Sequence, residues 1–184
     1  MVTKKLFLIS IASAIAFWSN GQGLFSNYSF ELNLGAEIPA IKSYKHAYLG
    51  VGGSLSWIGE SFMLSADYLY LEEGEVGIAA NSHPETFQQV GLLAGKQLVR
   101  GQLVFEGQVG IGGVFGKNIE EGSANGYKTN SYFTVGIPLK VKCKWQPLPF
   151  MAVGASLQTN LNSEKILFTP MLCLEFGRLK TSSQ

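Results

Sequence analysis

From Tyr28 onward the chain alternates with period two: Tyr28, Phe30, Leu32, Leu34, Ala36 and Ile38 are interleaved with Asn27, Ser29, Glu31, Asn33, Gly35 and Glu37. Successive side chains of a β-strand point to opposite faces, so this segment reads as a strand with one apolar and one polar side. It runs past ten residues before Pro39. Strands in water-soluble proteins are usually about five or six residues long, whereas a strand crossing a bilayer at a tilt needs about nine to eleven.

The pattern recurs seven times. A second strand is predicted over about His46 to Ile58, a third over Phe62 to Leu71 and a fourth, with weaker alternation, over about Phe87 to Leu98. A fifth covers Gln102 to Phe115, a sixth Ser131 to Trp145, a seventh Phe150 to Leu161 and an eighth Ile166 to Phe176. Connections after strands two, four and six are tight, whereas Glu72 to Thr86 and Gly116 to Asn130 are long and polar. Short turns at one end and long loops at the other are the habit of membrane barrels, and eight strands bring both termini to the same side. The fold class predicted is therefore all-β: an eight-stranded antiparallel up-and-down transmembrane β-barrel. Pro138 and Pro170 fall inside strands six and eight, where a proline removes a ladder hydrogen bond, so local bulges are expected there.

Ahead of the barrel, Lys4 and Lys5 precede an apolar run from Leu6 to Trp18, too short to cross a bilayer as a helix. This is a secretory signal pattern. Ser19, Asn20 and Gly21 place small residues before Gln22, so cleavage is expected after Gly21, with a site near Ala14 or Ala16, or an uncleaved anchor, as alternatives. The domain reading is a signal peptide over 1–21 and a barrel over 22–184. No later run reaches 18 apolar residues, so any crossing must be made by strands.

Aromatic placement adds a second line of argument, because amphipathic rings favour the two membrane interfaces. In this topology Trp57, Phe62, Trp145 and Phe176 fall at the periplasmic ends of the apolar face, and Tyr68, Tyr70, Phe115, Phe133 and Phe168 at the outer ends.

The chain thus resembles the small eight-stranded outer-membrane β-barrel proteins of Gram-negative bacteria, in pattern rather than through a motif. The last strand, with Ile166, Phe168, Leu172, Leu174 and Phe176 alternating, resembles their C-terminal sorting signal, although the tail from Gly177 to Gln184 continues past it. The resemblance implies an outer-membrane location, outer-membrane lipids and lipopolysaccharide as surroundings, barrel assembly machinery as a partner in biogenesis, and a monomer. It implies a structural, surface-loop interaction or narrow-pore role.

Composition narrows the alternatives. The formal charge is +1 and charged residues make up 15%, below the roughly 25% of soluble domains, so a nucleic-acid partner is not expected. The two cysteines, Cys143 and Cys173, fall on opposite faces of different strands, which disfavours a disulfide, and their spacing suggests no metal site. Gly50, Gly52 and Gly53 open no helix and so form no phosphate loop; no cofactor is predicted.

The interior of an eight-stranded barrel is only wide enough for side chains, so charges on the polar face must pair. Glu31, Asp67, Glu106 and Glu175 supply carboxylates, and Lys140 and Lys142 supply ammoniums; Glu106 is expected beside Lys140 or Lys142. A network that plugs the barrel is the first reading, a gated pore the second. His46 and His83, with Ser43, Ser82 and Glu85 nearby in sequence, raise the alternative of a lipid A-remodelling enzyme, although no fixed spacing defines a triad. No catalytic residue is assigned. Lys42, Lys45, Lys117, Lys128 and Lys165 could meet lipopolysaccharide phosphates, but the same loops carry six glutamates. A soluble, lipocalin-like lipid binder would have the apolar face inward.

Overall fold

The computed structural model describes residues 28–39, 47–59, 62–74, 85–122, 126–164 and 166–177. The expected signal segment over 1–21, together with His46 and His83, lies outside them. Eight strands follow one another: β1 (Tyr28–Pro39), β2 (Ala47–Ile58), β3 (Met63–Gly74), β4 (Thr86–Arg100), β5 (Leu103–Gly122), β6 (Gly126–Leu148), β7 (Met151–Leu161) and β8 (Leu167–Gly177). Each is antiparallel to its sequence neighbour, and β8 pairs with β1 to close the barrel. Closure leaves no edge strand around the wall, so the backbone groups that an open sheet would expose at its margins are paired.

The registers show why one parity of residues stays outside all the way round. Stepping between directly opposed residues from Tyr28 leads to Trp57, Leu64, Ala94, Val109, Leu139, Thr159 and Phe168, then back to β1 at Ile38. The circuit closes ten residues further along β1, an even offset. Opposed residues share a face, so the even offset lets the inside and outside of β1 meet themselves without conflict. The stagger also imposes a strand tilt of about 40° to the barrel axis.

Short turns join β2 to β3, β4 to β5 and β6 to β7, at the end where the described chain starts and stops. We call this the turn end and the other the loop end. Between β4 and β5 only Gly101 and Gln102 intervene, and Gly101 has φ of 61°, the left-handed conformation that a two-residue hairpin needs and that glycine adopts without a Cβ clash.

The bulges expected at Pro138 and Pro170 are not found. Register is the same on both sides of each proline; the ladder simply passes over Pro138 on its β5 side and Pro170 on its β1 side. Both prolines keep an aligned partner on β7, Asn160 for Pro138 and Leu157 for Pro170. Each proline also has a glycine close by across the interrupted ladder, Gly110 in β5 and Gly35 in β1. A Cβ on Gly35 would stand 2.2 Å from the Pro170 carbonyl oxygen, and one on Gly110 would stand 1.9 Å from that of Leu92. Each proline thus interrupts one ladder locally without adding a residue to its strand, and pairing resumes in the same register. The register shift occurs instead between Trp145 and Leu148, beside the β6–β7 turn. Gly110→Ala is therefore expected to lower unfolding stability by about 1–3 kcal/mol, because the methyl meets a neighbouring strand's backbone; urea titration of the refolded protein measures it.

The long polar connection expected over Gly116 to Asn130 is mostly strand. β5 and β6 remain paired as far as Gly122 and Gly126, whereas β4 accompanies β5 only to Lys117 and β7 accompanies β6 only from Ile137. A two-stranded ribbon therefore stands beyond the barrel rim at the loop end. Cross-strand pairing in a hairpin does not require the apolar alternation from which strands were read, so polar residues there extended the ladder unseen.

Candidate functional site

Three lysines at successive inward positions of β6 organise the lumen: Lys140, Lys142 and Lys144, all buried. Period two places them on one face of one strand, and they reach carboxylates carried by four other strands. Lys140 Nζ lies 2.9 Å from both Glu31 Oε1 on β1 and Asp67 Oδ1 on β3. Lys142 Nζ lies 2.8 Å from Glu31 Oε2 and 2.6 Å from Glu106 Oε2 on β5. Lys144 contacts Glu106 and Glu175, the latter on β8. Glu31 and Glu106 each bridge two lysines, so the charges form one connected chain rather than isolated pairs.

Neutral donors complete the carboxylates. Asn33 Nδ2 and Ser54 Oγ donate to Glu31 Oε1 at 2.9 and 3.2 Å, Gln158 Nε2 donates to Asp67 Oδ2 at 2.7 Å, and Gln97 Nε2 donates to Glu106 Oε1 at 3.1 Å. Nearer the loop end Asn160 Nδ2 donates to Gln89 Oε1 at 2.9 Å. Desolvating a charge is costly unless partners and hydrogen bonds surround it, and these groups supply both. Glu31, Glu106 and Glu175 each place a carboxylate oxygen within 4.8 Å of the others, a spacing a metal ion could use. Lys142 and Lys144 already stand among these oxygens, so the arrangement is an ion-pair cluster.

Glu106 stands directly opposite Lys142 in register. Of the two partners expected for it, Lys142 is therefore adjacent, whereas Lys140 turns to Glu31 and Asp67. Lys144 belongs to the same network, although the sequence reading named only Lys140 and Lys142 as its ammoniums. Its signal was the unbroken period-two series that also holds Lys140 and Lys142.

Above this network sits an apolar cluster that the sequence did not disclose: Tyr48, Leu69, Leu71, Phe87, Val114, Leu167 and Met171, with Tyr132 packed against it. These residues occupy inward parity near the loop end of their strands. Stretches such as Tyr68-Leu69-Tyr70-Leu71 are apolar at both parities, so alternation there gives no face. Glu85, considered at first beside the histidines, is engaged at this rim: it accepts the Tyr48 hydroxyl proton, and its amide donates to Glu73 Oε2 at 3.0 Å.

The exterior is the converse. Leu92, Ile111 and Leu172, near mid-height, are 68%, 63% and 72% exposed. Trp57, Phe62, Trp145 and Phe176 lie outside toward the turn end, and Tyr68, Tyr70, Phe115, Phe133 and Phe168 outside toward the loop end. Trp57 and Phe62 pack edge to face with ring centroids 5.2 Å apart, and Phe115 and Phe133 lie 4.9 Å apart. Tyr28, Phe30, Phe105 and Phe150 join the turn-end set, though sequence reasoning had left them out. Cys143 is exposed on this surface and Cys173 is buried inside, both as free thiols.

A closed eight-stranded antiparallel wall, charged inside and apolar outside, defines the fold class of the small outer-membrane β-barrels. Among solved structures, it is similar to the N-terminal β-barrel domain of OprF from Pseudomonas aeruginosa, with 16% identity and a TM-score of 0.55 over 80% of this chain and 96% of that one. Neisserial surface protein A matches at 11% identity and a TM-score of 0.56, covering 84% of this chain and 97% of that one. Ail, the attachment invasion locus protein of Yersinia pestis, matches at 12% identity and a TM-score of 0.52, covering 82% and 95%. No protein family and no curated protein sequence matches the chain.

Proposed function

We propose that the chain is an outer-membrane barrel without catalytic activity that serves the envelope structurally and presents its loop end to the surroundings. The observation that carries this reading is the inversion of burial: ion pairs fill the inside while large apolar side chains cover the outside. In water such an exterior would be an extensive adhesive patch; in hydrocarbon it is solvated. The same observation disfavours a lipocalin-like binder, which needs an apolar cavity inside. It also disfavours a pore, because the lysine network and the apolar cluster above it occupy the lumen in series.

The protein is expected in the outer-membrane fraction, migrating faster in unheated than in heated samples and giving no steady conductance in planar bilayers. Recovery in the soluble periplasm would overturn the membrane reading, and stable ion-conducting steps would restore the pore.

A second reading, attachment through the loop end, is favoured by the β5–β6 ribbon. From Gly126 to Gly136, β6 pairs among the described residues with β5 alone, and an extended strand with one open edge can accept a further strand by backbone pairing. The neighbouring Ail is named for attachment. Deletion of residues 119–129 should abolish any such adhesion while leaving heat-modifiable migration intact.

A further inference from the structure

Among the described residues the turn-end exterior carries two charges, Lys96 and Arg100, that neither the lumen network nor the loops explain. Both are exposed at outward positions of β4. Lys96 follows Gly95, the partner of Met63 at the mouth of the β2–β3 turn, so it stands level with the girdle residues Trp57 and Phe62. Among the described residues the exposed carboxylates, Glu72 and Glu164, lie at the loop end, whereas Lys96 and Arg100 are exposed toward the turn end.

A second feature adjoins the first. Directly opposite Lys96 on β5 is Gly107, an outward-facing glycine, flanked along the strand by Phe105 and Val109 and across it by Val141. A Cβ placed on Gly107 would meet no heavy atom within 4 Å, so the Lys96 stem does not fold across it and the position is an open notch in the apolar surface. Glycine in a strand interior weakens pairing and often marks a place where something approaches the backbone closely.

We propose that this notch, with Lys96 and Arg100, seats one anionic phospholipid of the turn-side leaflet, a proposal that rests on the membrane reading above. The two cations meet the headgroup phosphate, and the glycerol and upper acyl chain lie in the groove floored by Gly107 and walled by Phe105, Val109 and Val141. A lysine at the interface has an apolar stem and a charged head, which suits the boundary between chain and phosphate. Juxtamembrane cations attract anionic lipid additively, and two of them should select an anionic over a zwitterionic lipid about thirtyfold.

The test is native mass spectrometry of the refolded full chain in detergent with equal phosphatidylglycerol and phosphatidylcholine. The wild type should retain one phosphatidylglycerol about thirtyfold over phosphatidylcholine, Lys96→Gln/Arg100→Gln should retain the two equally, and Gly107→Leu should lose retention with both charges in place. Heat-modifiable migration of each variant shows that the barrel has formed. No preference in a wild type that inserts into vesicles overturns the seat alone, as does a preference that survives either variant. A wild type that inserts into no vesicle overturns the membrane reading and the seat with it.

Discussion

Lys142→Met should destabilise the folded barrel by about 3–5 kcal/mol, the range found when one partner is removed from a buried ion pair. Lys142 stands between Glu31 and Glu106, and Glu175 is close to both. Methionine fills nearly the same volume but leaves these carboxylates facing one another with less compensating charge. Lys140 and Lys144 are already committed to their own contacts and cannot replace it in place. Urea unfolding of the protein refolded in phosphatidylcholine vesicles measures the loss as a lowered midpoint at unchanged slope. Glu106→Leu in the same chain should recover part of it, because removing both partners leaves fewer unpaired charges than removing one. A loss under about 1 kcal/mol, the level of a solvent-exposed pair, would show that water reaches the network and that the lumen is open.

This network also shows how far the sequence reaches. Alternation assigned Glu31, Asp67, Glu106, Lys140, Lys142 and Glu175 to one face, and a small barrel forces one face inward together. Which lysine meets which acid was not legible, because partners such as Lys140 and Asp67 are 73 positions apart and meet only once the register of the whole circuit is set. The part of the apolar cluster formed by Tyr48, Leu69 and Leu167 was hidden for the opposite reason. Its neighbours in sequence are apolar too, and a pattern carries no information where both parities agree. Pro138 and Pro170 misled because the rule about strand prolines concerns the missing N–H, and whether its loss forces a bulge depends on the register held by the strands on either side.

Leu92→Arg separates the two ways of turning the wall. Leu92 is an outward residue of β4, opposite Ala66 on β3 and Ile111 on β5, near mid-height. In a membrane its side chain lies in hydrocarbon, where an arginine near the midplane costs about 2–4 kcal/mol. Were the same wall exposed to water, a surface substitution of this kind would stay within about 0.5 kcal/mol. The expected result is a loss of about 2–4 kcal/mol in vesicles. Leu103→Arg, exposed at the turn end of β5, introduces the same charge near an interface and should cost at most about 1 kcal/mol, so the cost should track depth and not charge. A loss within about 0.5 kcal/mol at Leu92 would mean that no hydrocarbon layer surrounds the barrel, and the apolar exterior would then need a protein partner to cover it.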